Sequence, residues 1–478
     1  MDTIKLSDLL EWTGGTLVAG SSEALITGVV TDSRIVTKGD CFVALVGERF
    51  DGHDFIDSAC RSGASAVVYS NRSKLDPSSV DPDVSFVLAN DTQQAYQSIA
   101  RGYRRRFTIP VVGVTGSNGK TTTKDMTAAV LAERGDVAAT EKNFNNDIGL
   151  PMTLLQVERH HKAAVVEMGM RGPGEIARLA SVALPTIGVV TNVGPVHVEF
   201  FGSVEGVAEE KGALIRALTE QGAAVLNADD PHVKAMASQT KARVVTFGIE
   251  EAAVVRAENI SLLGLDGSEF TLVWPSGKTR VRLHIPGRHH IYNALAAAAV
   301  GLAAGLGLED VKAGLQRFRA AKMRTDVVKL GSDIVLIDDA YNSSPLSAKA
   351  AIDVLAGAKG KRKVAVLGDM LELGDYAVDA HRTLGRQAAR AEVDVLVAVG
   401  ENARHVAGAL EDVRGERTNV VVCSSAGEAS RIVCELVKPG DTVLVKASRG
   451  IALEQVTEAL KSTFGVVSDD FHEEGATR

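Results

Sequence analysis

Short apolar runs rich in β-branched residues recur along the chain, and most are followed by a segment with apolar residues at helical spacing. The clearest are Val111 to Thr115, Ala163 to Met168, Thr186 to Thr191 and Ala223 to Leu226. A second series holds Ile334 to Ile337, Lys363 to Leu367, Val393 to Ala398, Asn419 to Val422 and Thr442 to Val445. Continuous apolar runs of this length suit strands buried on both faces, and their alternation with helices predicts doubly wound parallel sheets. A smaller α/β unit precedes them, with strands at Ala66 to Tyr69 and Ser85 to Ala89. A strand-rich insert is expected over Val254 to Ile285, followed by helices at Ala294 to Ala304 and Leu308 to Phe318. The pattern divides the chain into residues 1–108, 109–318 and 319–478, in line with ~150 residues per domain.

One junction in this pattern carries chemistry. Strand Val111 to Thr115 runs into Gly116, Ser117, Asn118 and Gly119, then into a helix that opens on Lys120, Thr121 and Thr122. Glycines let the backbone approach an anion, the free N–H groups of the helix start point at it, and Lys120 adds a charge for the outer phosphates of a nucleotide. The Thr121 hydroxyl is placed to meet magnesium. Val114 stands where the strict G-x-x-x-x-G-K-[ST] pattern has its first glycine, so the match is to a variant loop.

Composition removes other classes. Net charge is −8 over 478 residues, which leaves no electrostatic footprint for nucleic acid or an anionic membrane. The compact basic run Arg104 to Arg106 closes a helix starting near Asp91 and reads as a solvated helix end. Cys41, Cys60, Cys423 and Cys434 lack C-x-x-C spacing, which fits reduced thiols in a cytoplasmic protein. Met1 to Trp12 has no signal-peptide character, and the alanine-rich stretch Ala294 to Leu308 reads as a buried helix too short to span a membrane.

Other polar positions follow strands or glycine turns. Glu167 ends a strand near the phosphate loop and could hold magnesium or be a plain strand-end carboxylate. His197 reads better as a structural histidine, and Lys211 as solvated helix surface. The amides of Asn143 to Pro151, including Asn145 and Asn146, suit a sugar or peptide, or equally turn chemistry. Asp338 to Pro345 and Lys446 to Gly450 leave strands where a second ligand rim would stand, though N-caps explain them nearly as well.

Together the Thr115 to Thr123 loop, Asn143 to Pro151, Asn192 to Lys211, Asp338 to Pro345, Leu367 to Gly374 and Val445 to Glu454 resemble the Mur ligase family, ATP-dependent amide ligases of cell-wall precursor synthesis. The resemblance implies three domains: an N-terminal domain for a UDP-sugar, a central P-loop parallel-sheet ATPase domain, and a Rossmann-like C-terminal domain. Within the family the chain is similar to members that join UDP-N-acetylmuramoyl-tripeptide to D-Ala-D-Ala through an acyl phosphate. The nucleotide would then lie on Thr115, Gly116, Ser117, Asn118, Gly119, Lys120, Thr121 and Thr122, with Asn293, Arg324, Asp338 and Asp339 completing its site. Magnesium would fall to Thr121 and Glu167, and a second metal to His197 and a carbamylated Lys211, which reverses the plain reading of that lysine. Substrates would meet Ser33, Arg34, Asp51, His53, Asn145, Asn146, Tyr341, Asn342, Lys446 and Arg449. A cytoplasmic monomer without nucleic-acid or membrane partners is expected.

Three positions depart from the family pattern: His289-His290 for a His-Asn pair, Ala447 for a glycine, and Met323 before Arg324. The member adding a single third amino acid usually carries Asp-Asn-Pro-Arg, and no such run occurs here. Folylpolyglutamate synthetase has its phosphate loop near the N-terminus, whereas about 110 residues precede it here. A nucleotide-driven switch protein is the alternative of another class.

Overall fold

The computed structural model describes residues 1–70 and 83–467; the polar C-terminal stretch from Ser468, which reads in sequence as a loose tail, lies outside them. Among these residues the strands form four sheets, and the fold is α/β. A two-stranded pair joins Ile4–Lys5 to Leu25–Ile26. Beside it a five-stranded sheet runs in the order Thr16–Ala19, Ser85–Leu88, Ala66–Tyr69, Asp40–Val43, Gly28–Val30, antiparallel only at its first pairing.

The central sheet has nine strands. Val137–Ala139, Ala163–Glu167, Val111–Thr115, Ile187–Val190, Ala223–Asn227 and Arg243–Gly248 lie parallel in that order. Val255–Leu262 continues this parallel series, and Ser268–Trp274 and Gly277–Leu283 add an antiparallel extension. Val111–Thr115 therefore sits between two strands that follow it in the chain. A strand flanked in this way marks a switch point, where the crossover helices leave to opposite faces and a crevice opens at the carboxyl ends.

The phosphate-loop helix, Lys120–Leu131, lies on one face against Arg288–Ala303 and Leu308–Arg317. Gly314 makes this contact possible, because a Cβ there would stand 2.5 Å from Val130 Cα. Residues Ala294 to Val300 are all fully buried, so this helix is apolar on every side, as a helix inside a large core must be. The helices expected at Ala294 to Ala304 and Leu308 to Phe318 are both present, as Arg288–Ala303 and Leu308–Arg317. Gly305 takes a left-handed φ of 78°, ends the first helix, and the next begins at Leu308.

The third region holds a six-stranded sheet in the order Asp326–Leu330, Ile334–Asp338, Asp441–Lys446, Arg362–Gly368, Val395–Val399, Asn419–Cys423, parallel except for the first pair. Its core divides between the two faces, with Ile337, Leu367 and Leu384 on one side and Leu336, Val366 and Val445 on the other.

Arg104 corrects the reading of its basic run. Asp91 caps the helix Thr92–Arg104 as expected, yet Arg104 is buried. Its guanidinium donates to the carbonyls of Ala183 (3.1 Å), Phe107 (2.7 Å) and Leu184 (3.3 Å). It thus serves open carbonyls where the helix Glu175–Ala183 ends. Among the described residues, no helix is long and apolar enough to cross a membrane.

Candidate functional site

The switch point of the central sheet sets the site. Gly116 (φ 150°) and Gly119 (φ 79°) let the chain turn from strand to helix. Side chains are excluded at both places: a Cβ on Gly116 would lie 1.9 Å from Thr191 Oγ1, and one on Gly119 would lie 2.4 Å from Asn293 Oδ1. The next strand's end holds the loop in shape. Ser117 N–H donates to Asn192 O (2.8 Å), Asn118 N–H to Asn192 Oδ1 (2.9 Å), and Thr191 Oγ1 to Asn118 O (2.6 Å). Thr115 and Ser117 side chains serve the same purpose through the Met168 and Gly194 carbonyls.

Lys120 folds back onto its own loop, donating to the Gly116 carbonyl at 2.8 Å. Burial draws its pKa below the usual lysine value, against the opposing pull of Glu167. Thr121, at the start of the helix, donates its hydroxyl to Glu167 Oε2 at 2.6 Å. The other oxygen of Glu167 receives Asn145 Nδ2 at 2.8 Å, so a strand end, a helix start and the amide loop meet at one carboxylate. Thr140 supports this group unannounced by any sequence signal: its hydroxyl accepts Glu167 N–H and its carbonyl accepts Lys124 Nζ. Thr122 is buried beside Thr121.

Asn146 is separate from this cluster. Its side-chain oxygen accepts the N–H groups of Ile148 and Gly149, where the helix Gly149–Leu155 begins.

Lys211 overturns the reading as helix surface. It is 1% exposed on Val204–Arg216, and the contact recorded for its Nζ is the Met170 sulfur at 3.6 Å. Burial first, and then the charge of Lys120, push its pKa well below the ordinary lysine range. A lowered pKa makes such an amine easier to deprotonate and so readier to act as a nucleophile. His197 takes a left-handed backbone (φ 55°) and places Nδ1 2.6 Å from Glu372 of the third sheet's side. Glu372 is itself left-handed (φ 62°), in the Leu367 to Gly374 stretch. Burial lowers the His197 pKa, with Glu372 opposing.

The third region faces the same crevice. Lys446, 2% exposed, is paired with Asp339 Oδ2 at 2.6 Å and also donates to Asn342 O at 2.9 Å. Asp339 accepts Thr325 N–H, and Arg324 stacks over the Tyr341 ring at 4.1 Å, with Arg449 at 5.9 Å. Asp338 parts from Asp339. Successive residues of a strand point to opposite faces, and Asp338 is 1% exposed and engaged by Lys461 at 3.2 Å. Asn293 lies buried beneath the loop with its amide in use, Oδ1 by Thr123 (3.3 Å) and Nδ2 by His290 (3.3 Å).

The N-terminal positions lie on connections of the five-stranded sheet. Arg34 is exposed and forms a close pair with Asp32 (2.6 Å) beside Ser33. His53 is 5% exposed, fixed by Asp51 through Nδ1 (2.6 Å) and by Ser70 N–H through Nε2 (3.0 Å). Exposed Val46 and Phe50 lie next to them.

A loop built for phosphates at the switch point of a parallel sheet, closed over by a second α/β sheet, defines a multidomain nucleotide-dependent enzyme. The comparisons narrow the class. Residues 25–106 match the description "Mur ligase family, catalytic domain", residues 114–301 "Mur ligase middle domain", and residues 323–449 "Mur ligase, glutamate ligase domain". UDP-N-acetylmuramoyl-tripeptide–D-alanyl-D-alanine ligases are similar across nearly the whole length. That of Synechocystis is 38% identical, covering 92% of this chain and 93% of its own, and that of Escherichia coli is 37% identical, covering 96% and 99%. The crystal structure of MurF from Acinetobacter baumannii superposes with a TM-score of 0.87 at 31% identity, covering 97% and 99%. MurF from Thermotoga maritima in complex with ADP gives 0.79 at 29%, covering 91% and 97%. The chain belongs to the Mur ligase family.

Proposed function

We propose that this chain is the ATP-dependent ligase that joins D-Ala-D-Ala to UDP-N-acetylmuramoyl-tripeptide in peptidoglycan precursor synthesis. The observation that carries the ATP chemistry is the Thr121–Glu167 contact at 2.6 Å beside the loop lysine. The extensive likeness to ligases of that name supports the substrates.

The residues fit a magnesium ion. Thr121 and Glu167 offer a hydroxyl and a carboxylate, the hard oxygens magnesium prefers, and their present mutual hydrogen bond is one a cation would replace. Among the described residues no group of three or more His, Cys, Asp or Glu is arranged to hold a metal, so oxygens from the nucleotide would complete the shell. Bound there, magnesium would neutralise charge on the phosphates. His197 and Lys211 fit a second ion only if Lys211 becomes a carbamate, and its buried, low-pKa amine suits reaction with carbon dioxide.

In the first step the tripeptide carboxylate attacks the γ-phosphorus of ATP. Its new O–P bond forms as the bond to the ADP oxygen breaks, giving an acyl phosphate. Lys120 swings from the Gly116 carbonyl to the transferring phosphoryl group, and the loop N–H groups hold the phosphate oxygens. In the second step the dipeptide amine attacks the acyl carbon, loses a proton, and the tetrahedral intermediate expels phosphate. The third domain's Arg324, Asp339 and Lys446 rim covers the crevice, receives nucleotide and dipeptide, and keeps water from the acyl phosphate. Ser33, Arg34, Asp51 and His53 frame the UDP-sugar end, with Phe50 as an exposed apolar surface.

The test incubates the purified chain with magnesium, ATP, UDP-N-acetylmuramoyl-tripeptide and either D-Ala-D-Ala or a single L-amino acid, following the UDP product by mass. A gain of the dipeptide is expected. A gain of one amino acid on a shorter UDP-sugar peptide would overturn the substrate assignment. For Lys211, activity should fall after removal of carbon dioxide and return with bicarbonate; indifference to both removes the carbamate.

A further inference from the structure

Asn118, in the middle of the phosphate loop, is gripped from two domains. Thr191 and Asn192 of the central sheet take its backbone N–H and carbonyl. The fourth contact comes from 226 residues away: Ser344 Oγ donates to Asn118 Oδ1 at 2.6 Å. The other end of the same amide, Nδ2, is buried without a partner.

Ser344 is the N-cap of Pro345–Ala356, 8% exposed, and its oxygen also accepts Ser347 N–H at 3.4 Å. A hydroxyl has one proton, and here it goes to the carboxamide oxygen. Leu346 of the same helix also rests on the central domain, since a Cβ on Gly194 would stand 2.7 Å from Leu346 Cδ1. The helix start therefore lies directly on the loop.

We propose that Ser344 is a positioning residue that sets the orientation of the Asn118 amide. With Oδ1 held by the third domain, the amide keeps its NH₂ turned the other way, a buried donor that no protein group takes, within the loop that receives the phosphates. When the third domain swings away, that hydrogen bond breaks and the amide is free to turn. The donor is thus in place only in the closed molecule, which ties phosphoryl transfer to closure. This inference rests on the ligase reading above.

The experiment compares Ser344→Thr and Ser344→Gly with the unmodified full chain, measuring kcat, the KM for each substrate, and Tm. Threonine keeps both hydroxyl and cap. Glycine removes the hydroxyl yet remains a tolerable cap, so the helix and Tm should be nearly preserved. The glycine variant should lose kcat by about tenfold to a hundredfold, as for small misplacements of a reacting group, with little change in KM for the UDP substrate. The threonine variant should stay within about threefold of the unmodified chain, since it changes nothing the mechanism uses. A folded glycine variant with full kcat, or a threonine variant impaired as deeply as glycine, would overturn the proposal. If the unmodified chain makes no dipeptide product, the ligase reading fails separately, and the same order of variants is then required in ATP-dependent phosphate release.

Discussion

The two walls of the crevice treat charge in opposite ways. Lys211 on the central wall and Lys446 on the third-domain wall are buried to nearly the same degree, at 1% and 2% exposure. Lys446 has a carboxylate at 2.6 Å and a carbonyl at 2.9 Å. Lys211 meets a sulfur, and the strongest charge acting on it is the like charge of Lys120, which outweighs the opposite charge of Glu210. The third-domain wall arrives with its charges already paired, as a platform of set shape. The central wall holds uncompensated groups, which suits a surface completed by an anionic ligand and cations. Burial alone says nothing about a lysine's role; what lies next to its nitrogen does.

The largest effect should come from the central wall. Lys120→Met removes a charge aimed at the transferring phosphoryl group and should lower kcat about a thousandfold, read by steady-state phosphate release. On the opposite wall the cost should appear as stability. Lys446→Met strands Asp339 and should destabilise the third domain by about 3 kcal/mol in denaturant unfolding. Lys211→Met breaks the symmetry between the two lysines. It should lower activity about a hundredfold yet raise Tm, because it removes a buried amine without an oxygen partner. A fall in Tm equal to that of Lys446→Met would end the contrast.

The smallest effect concerns the junction between the walls. His290 is buried against Thr325 and Asn293, and burial holds its pKa well below 6.5. In the unfolded chain it takes up a proton near pH 6.5 while in the folded chain it stays neutral, so its contribution to stability is present above that pH and is lost as pH falls below it. The free energy of denaturant unfolding should therefore drop less between pH 7.5 and 5.5 for His290→Asn than for the unmodified chain, by about 1 kcal/mol.

Much of this architecture was legible in local pattern. The strands Ala66–Tyr69 and Val111–Thr115 appear with the bounds their apolar runs predict, and Glu167 ends its strand where a magnesium ligand was sought. Edges were harder. Val137–Ala139 and Asp326–Leu330 lie at sheet margins, where a short segment becomes a strand only because a neighbour pairs with it. Thr140 carried no signal of its own and Glu372 only its place in the Leu367 to Gly374 stretch; their roles come from what stands opposite.

By itself the sequence determined the phosphate loop, the alternation of strand and helix, and the family, because each rests on spacing within a few turns of chain. Tertiary structure decided which charges are paired. Lys211 reads as surface by its helix, Arg104 as a solvated end, Asp338 as one of a pair with Asp339, and Ser344 as a cap. Each is settled by a group distant in the chain, because burial and hydrogen bonding depend on what packs across the gap.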